Sequence, residues 1–211
     1  MKKTILVMLS GGLDSCYMLY YYLTQTDHDV HAHHISLRYP SEPRWAQEDV
    51  ASRKIVEYCR NLRAFDYTES RFDIGFKRYV GRDSDTQLLM AAKVAPNLRG
   101  EVHVALGWEN SDFELEVNRH RAKNKITENL WNALYDSIDY PLGEHISREI
   151  LYPLMEMNMT KARMMAALPQ ELREITWSCR RPVYDEDGES RPCGQCKPCM
   201  TIRNIDGLVL C

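Results

Sequence analysis

The chain has no run approaching the ~20 apolar residues that a membrane-spanning helix needs. It also lacks a large excess of either charge: 27 Lys and Arg stand against 30 Asp and Glu, a formal net charge of −3. That balance disfavours a protein that grips a nucleic-acid backbone with its whole surface, though it is compatible with a local basic face. No internal repeat and no low-complexity tract occurs. There is no G-x-x-x-x-G-K-[ST] spacing and no G-x-G-x-x-G, which excludes the ordinary P-loop and the dinucleotide fingerprint. No Ser-His-Asp nucleophile signature and no glutaminase signature is apparent. The N-terminus, MKKTILVMLSGG, imitates a signal peptide, but its apolar run from Ile5 to Leu9 is too short for one. We read that run as a buried strand and expect a cytoplasmic protein.

What is present fits one globular domain of ordinary size with a small appendage: 211 residues, 44% apolar and 27% charged. Apolar runs at Thr4–Leu9, Asp29–Leu37 and Glu101–Leu106 read as strands, with a further strand near Ala64–Thr68. Helical patterns alternate with them, from Asp14 or Ser15 (either a candidate cap) to about Thr24, then Trp45–Cys59 and Ser84–Ala95. This alternation predicts a parallel α/β sheet with flanking helices. Residues 110 to 129 are strongly polar and read as loop followed by exposed helix, and another helix begins near Thr160. From Trp177 the composition shifts to Cys, Pro, Arg and Gly, which divides the chain into a nucleotide-binding domain (1–175) and a C-terminal metal module (176–211).

Between the first strand and the first helix stands Leu9-Ser10-Gly11-Gly12-Leu13-Asp14-Ser15. A loop in that position aims backbone N–H groups and the positive end of the helix dipole at one point, a setting for phosphate. Gly11 and Gly12 permit close approach of the backbone, and the Ser10 and Ser15 hydroxyls are further donors. Asp14 is out of place in an anion site unless it holds Mg²⁺. Without a lysine for the γ-phosphate, the loop suits cleavage of ATP between the α- and β-phosphates.

Seven cysteines are present, and Cys193, Cys196 and Cys199 are spaced C-x2-C-x2-C, with Cys179 fourteen positions upstream. Four thiolates suit a closed tetrahedral zinc site of structural type. An iron–sulfur cluster and redox thiols are the alternatives. Gly194 permits a tight turn between ligands, and Arg180, Arg181, Lys197 and Arg203 offset the thiolate charge. Cys16, Cys59 and Cys211 read as packing residues or free thiols.

LSGGLDS matches the SGGxDS signature of the PP-loop (N-type) ATP pyrophosphatases, and CGQCKPC completes a second motif. Together, in this order and with WSC at 177 to 179, they resemble the 7-cyano-7-deazaguanine synthase family. PLMEMNMTKA (153 to 162), VGRDSDTQLLMAAKVA (80 to 95) and HVALGWENSD (103 to 112) resemble further family segments, so the resemblance spans most of the chain. It implies a Rossmann-like, adenine nucleotide alpha hydrolase-like fold with a small zinc module. It also implies ATP-dependent conversion of 7-carboxy-7-deazaguanine and ammonia to the nitrile, through an acyl-adenylate and an amide, with AMP and pyrophosphate released. Zn²⁺ and Mg-ATP are the implied cofactors, a homodimer the implied assembly, and nucleic acid is not the implied substrate. Arg82, Asp112 and Lys161 become candidate substrate or phosphate contacts. A site made of His31, His33 and His34 together is disfavoured, because His34 takes the opposite strand face from the other two, and no catalytic role is assigned to them. The run RHRAKNK (119 to 125) reads as a solvated charged face. The chain departs from the family pattern at Arg82-Asp83, where Arg-Asn is usual, at SLRYP and at FELEVNRHRAKNK, and the gap between its first two zinc cysteines is longer. These departures fall on acceptor-binding segments. They leave open another ligase or amidase on a deazaguanine or tRNA substrate, or a reaction that stops at the amide.

Overall fold

Five segments pair into a single parallel sheet in the order β3-β2-β1-β4-β5. The strands are β1 (Thr4–Met8), β2 (Asp29–Arg38), β3 (Asp66–Asp73), β4 (Val102–Ala105) and β5 (Ile146–Leu151). The computed structural model describes residues 2–73, 75 and 82–206. Val80, Gly81 and Cys211, which the sequence reading included, lie outside the described residues. The helices are α1 (Leu13–Gln25), α2 (Trp45–Arg60), α3 (Asp83–Val94), α4 (Glu116–Lys123), α5 (Ile126–Asp136), α6 (Pro153–Glu156), α7 (Lys161–Ala167), α8 (Gln170–Ile175) and α9 (Lys197–Asp206). A two-stranded hairpin, β6 (Val183–Tyr184) with β7 (Ser190–Arg191), lies in the cysteine-bearing tail.

Side-chain alternation splits the interior into two cores, one on each face of the sheet. Ile5, Val7, Leu9, Val30 and Ala32 face one core with Leu13, Leu19, Ile55, Met164 and Leu172. Leu6, Met8, Ile35 and Leu37 face the other with Leu88, Ala91, Val104 and Trp131. Central strands covered on both faces need continuous apolar runs, which is why β1 and β4 carry them. The edge strands β3 (DYTESRFD) and β5 (ISREIL) are charged instead, which discourages pairing with another chain.

One local reading is corrected, and the structure adds detail to others. Neither Asp14 nor Ser15 caps α1: the cap position is Gly12, with extended backbone, and α1 begins at Leu13. β5 was not legible, because Ser147, Arg148 and Glu149 interrupt any apolar pattern and the open edge of β4 recruits the segment. The region 152 to 168 is two helices, with Asn158 at φ 51° between them and Thr160 capping α7 by accepting the Arg163 N–H. The polar stretch 110 to 129 forms a 3-10 turn (Asn110–Glu114), α4 and the start of α5.

The histidines of β2 are buried structural groups. His31 and His33 both bond Thr68 Oγ1, at 2.8 and 2.7 Å, and His33 also bonds Ser70 at 2.9 Å. His34, on the opposite face, is held between the Leu9 carbonyl (2.8 Å) and Asp49 (2.9 Å). Burial, with His31 and His34 nearby, lowers the His33 pKa to about 4. Below its ordinary value of 6.5 the unfolded chain therefore binds the proton more readily than the folded one. His33 should cost stability progressively as pH falls from about 6.5 to about 4, by up to about 3 kcal/mol. Urea titrations across that window should show a shallower slope for His33→Gln than for the wild type; identical slopes would place the titration elsewhere.

Among the described residues no helix is long and apolar enough to cross a membrane.

Candidate functional site

β1 ends at Met8, and the chain turns through Ser10, Gly11 and Gly12 before α1 begins. Gly11 has φ +82°, and an added Cβ would lie 2.8 Å from the Glu48 carbonyl of α2. Both the left-handed backbone and the close approach of α2 require glycine there. The serines brace the loop from within: the Ser10 N–H donates to Ser15 Oγ (3.1 Å), and Ser15 Oγ donates to the Gly12 carbonyl (3.2 Å). Ser15 is buried, so its hydroxyl shapes the loop, while Ser10 and Gly12 line the open cleft. Leu9 and Leu13 are buried and tie the loop's two ends into the core.

The cleft beside this loop has a volume of about 910 Å³, at the upper end of the size range of ligand pockets. It sits at the carboxyl end of the central strand, where the order of strands reverses and open α/β sheets place their ligands. Its lining brings together Ser10, Gly12, Asp14, Arg82, Asp112 and Lys161, which come from four separate stretches of chain. The cysteine-bearing tail forms another wall with Trp177, Arg180, Arg181 and Lys197.

Lys161, at the start of α7, donates to both oxygens of Asp14 at the start of α1. Burial works to lower its pKa, but Asp14, Asp112 and Glu109 outweigh that and hold it above the ordinary lysine value. Asp112 is raised by burial, against the Glu109 N–H that it accepts. Glu109 is fully buried, and its carboxylate accepts from the backbone N–H (2.9 Å) and hydroxyl of Ser111. One lysine therefore sits among three carboxylates facing the loop. Asp14 and Asp112 both line the cleft, with Asp14 paired to Lys161.

Across the cleft, Arg44 is buried against Glu48 (3.0 Å), Asp83 and the Tyr39 hydroxyl (2.6 Å). Asp83, a position of departure from the family pattern, is thus committed to Arg44. Sequence reasoning missed Arg44, Glu48, Glu109 and Trp177. For Glu109 the available signal was E-x-x-D at 109 to 112, a reciprocal capping pair with Asp112.

No family model, curated protein or solved structure matches this chain.

The four predicted cysteine ligands do converge. The sulfurs of Cys179, Cys193, Cys196 and Cys199 all lie within 4.8 Å of one another, and those of Cys193 and Cys199 are 3.9 Å apart. Zn–S bonds of ~2.3 Å at tetrahedral angles require about 3.8 Å between sulfurs, so the cluster could hold zinc after a modest contraction, with Cys199, disulfide-bonded in this structure, released as a thiolate. The N–H groups of Gln195 and Cys196 donate to Cys193 Sγ and pull its pKa down to about 7. Burial pushes Cys179 up to about 11. Gly194 lies at φ +68°, where an added Cβ would meet the Arg203 guanidinium at 2.7 Å. Cys179, Cys199 and Ile202 share the core of Leu9, Leu13 and Met164, so the tail packs on the sheet domain without a separate core. Cys16 and Cys59 are buried packing residues.

Proposed function

We propose that this chain is an ATP-dependent carbon–nitrogen ligase of the 7-cyano-7-deazaguanine synthase kind, built on a Rossmann-like PP-loop domain. The observation that carries the reading is the convergence of SGGLDS, Arg82, Asp112, Lys161 and the cysteine-bearing tail on one cleft. The strand order 3-2-1-4-5 supports the Rossmann-like subtype.

In this reading the acceptor carboxylate oxygen attacks the α-phosphorus of ATP. An acyl-adenylate forms, and pyrophosphate leaves with the electron pair of the broken P–O bond. The backbone of Ser10 to Gly12 and the start of α1 hold that leaving group, and Arg82 and Lys161 oppose its growing charge. Asp14, with Asp112, would hold magnesium, whose charge would offset that of the phosphates. Ammonia then displaces AMP, losing a proton, to give the amide; a second ATP adenylates the amide oxygen with release of pyrophosphate, and loss of AMP and the two N–H protons gives the nitrile. The four cysteines would hold zinc in a structural role, outside the chemistry.

The test is mass spectrometry of zinc-loaded protein with Mg-ATP, ammonium and 7-carboxy-7-deazaguanine. Nitrile with AMP and pyrophosphate is the expected result. Accumulated amide would assign a truncated reaction, and no turnover while ATP binds would assign another acceptor. Lys161→Met should lower kcat roughly 10²–10³-fold, the effect of removing one preorganised charge donor. A rise in KM alone would place Lys161 in ground-state binding only.

A further inference from the structure

The nucleotide loop and the cysteine cluster are joined by two hydrogen bonds that pass through one residue. The Trp177 backbone N–H donates to the Gly11 carbonyl at 2.9 Å. Its indole Nε1–H donates to the carbonyl of Cys179, a metal-ligand residue, also at 2.9 Å. The Trp177 carbonyl lies 3.6 Å from where a Cβ on Gly12 would stand. Gly11 is therefore pinned between α2 on one side and the irregular segment of residues 176 to 179 on the other. Cys179 is fixed in turn by the Cys193 N–H, which donates to its sulfur at 3.2 Å, and by burial in the core that Leu9 and Leu13 share.

We propose that metal loading of the four-cysteine cluster positions the SGGLDS loop through Trp177, so that metal and a pyrophosphate-bearing ligand bind with positive coupling. This rests on the reading that the loop holds pyrophosphate. With the four sulfurs drawn to one ion, residues 177 to 179 have a single conformation, and Gly11 keeps its left-handed geometry. Without the ion, nothing holds the four sulfurs to one point, the segment gains freedom, and ordering the loop is left to the ligand. Coupling of this kind is reciprocal: whatever metal does for anion affinity, the anion does for metal affinity. Trp177 is thus a positioning residue, acting through Gly11.

Calorimetric titration with Mg-pyrophosphate should show about tenfold weaker binding by metal-stripped protein than by zinc-loaded protein, both folded by circular dichroism. Mg-ATP should slow zinc transfer from the protein to a chromophoric chelator. Zinc-loaded Trp177→Phe keeps an aromatic ring and the backbone N–H but loses the bond to Cys179. It should bind Mg-pyrophosphate about fivefold more weakly, the value of one hydrogen bond, with its zinc content unchanged. Should stripping unfold the chain, this variant decides alone. Equal affinity in loaded, stripped and Trp177→Phe protein overturns the coupling while leaving the loop's role intact. Absence of any Mg-pyrophosphate binding by the loaded wild type overturns the loop reading and the coupling with it.

Discussion

Arg44→Met should lose roughly 3–5 kcal/mol of stability, the cost of leaving buried carboxylates without their cation. Arg44 is 9% exposed and sits against Glu48 and Asp83, both within reach of its guanidinium. Methionine fills a similar volume, so the loss is electrostatic rather than a cavity effect. In a chain of this size that corresponds to a fall in Tm of roughly 10 °C. Urea denaturation checks the free energy, and the triple variant Arg44→Met/Glu48→Gln/Asp83→Asn should recover most of it by removing the unpaired charges. A loss under about 1 kcal/mol would mean that water reaches the cluster and solvates the carboxylates. The pH dependence has a definite sign. Burial pushes the Asp83 pKa up, but Arg44 outweighs it and holds the carboxyl below its ordinary value. Its contribution is therefore present above the ordinary aspartate range and is lost as pH falls through the folded pKa. Glu48 works in the opposite sense, since burial leaves its pKa raised despite Arg44, and the two together keep the acid slope shallow.

Metal removal should have an effect of similar size. Zinc present at a thousandfold excess over its Kd adds about 4 kcal/mol to the folded state, so stripping should lower Tm by roughly 10 °C. Because Cys179 and Cys199 belong to the core that also holds Leu13, Ile55 and Met164, the loss should shift the main unfolding transition. A tail that folds independently would show a separate early transition and leave the main one in place. Differential scanning calorimetry of loaded and stripped protein separates these outcomes. Cys193→Ser should mimic stripping, whereas Cys16→Ser, buried far along the chain from the cluster, should leave zinc content unchanged.

Much of the site was legible because its chemistry is local. SGGLDS is a contiguous strand–loop–helix signal, and C-x2-C-x2-C places three ligands within seven residues. The four-cysteine convergence was readable for the same reason: cysteine is scarce elsewhere in the chain. Strand parity alone separated the buried histidines, since His34 faces away from His31 and His33, but it did not foresee that His33 lines a small cavity with Ser10, Arg44 and Asp83.

Other features depended on long-range partners. β5 has no strand pattern of its own and exists because β4 offers an open edge. Asp14 pairs with Lys161, which is 147 residues away, and Asp83 pairs with Arg44, 39 residues away at the cap of α2. Charge pairs at such separations leave no periodic trace.

By itself, the sequence determined a parallel α/β domain, a glycine loop after the first strand and a cysteine cluster at the far end. Each follows from residues that are neighbours along the chain. Only the tertiary structure decided that the loop and the cluster touch, with Trp177 between them. That contact arises because both pack on the same face of the sheet, where burying Leu13, Cys179 and Cys199 in a common core brings the two ends of the chain together.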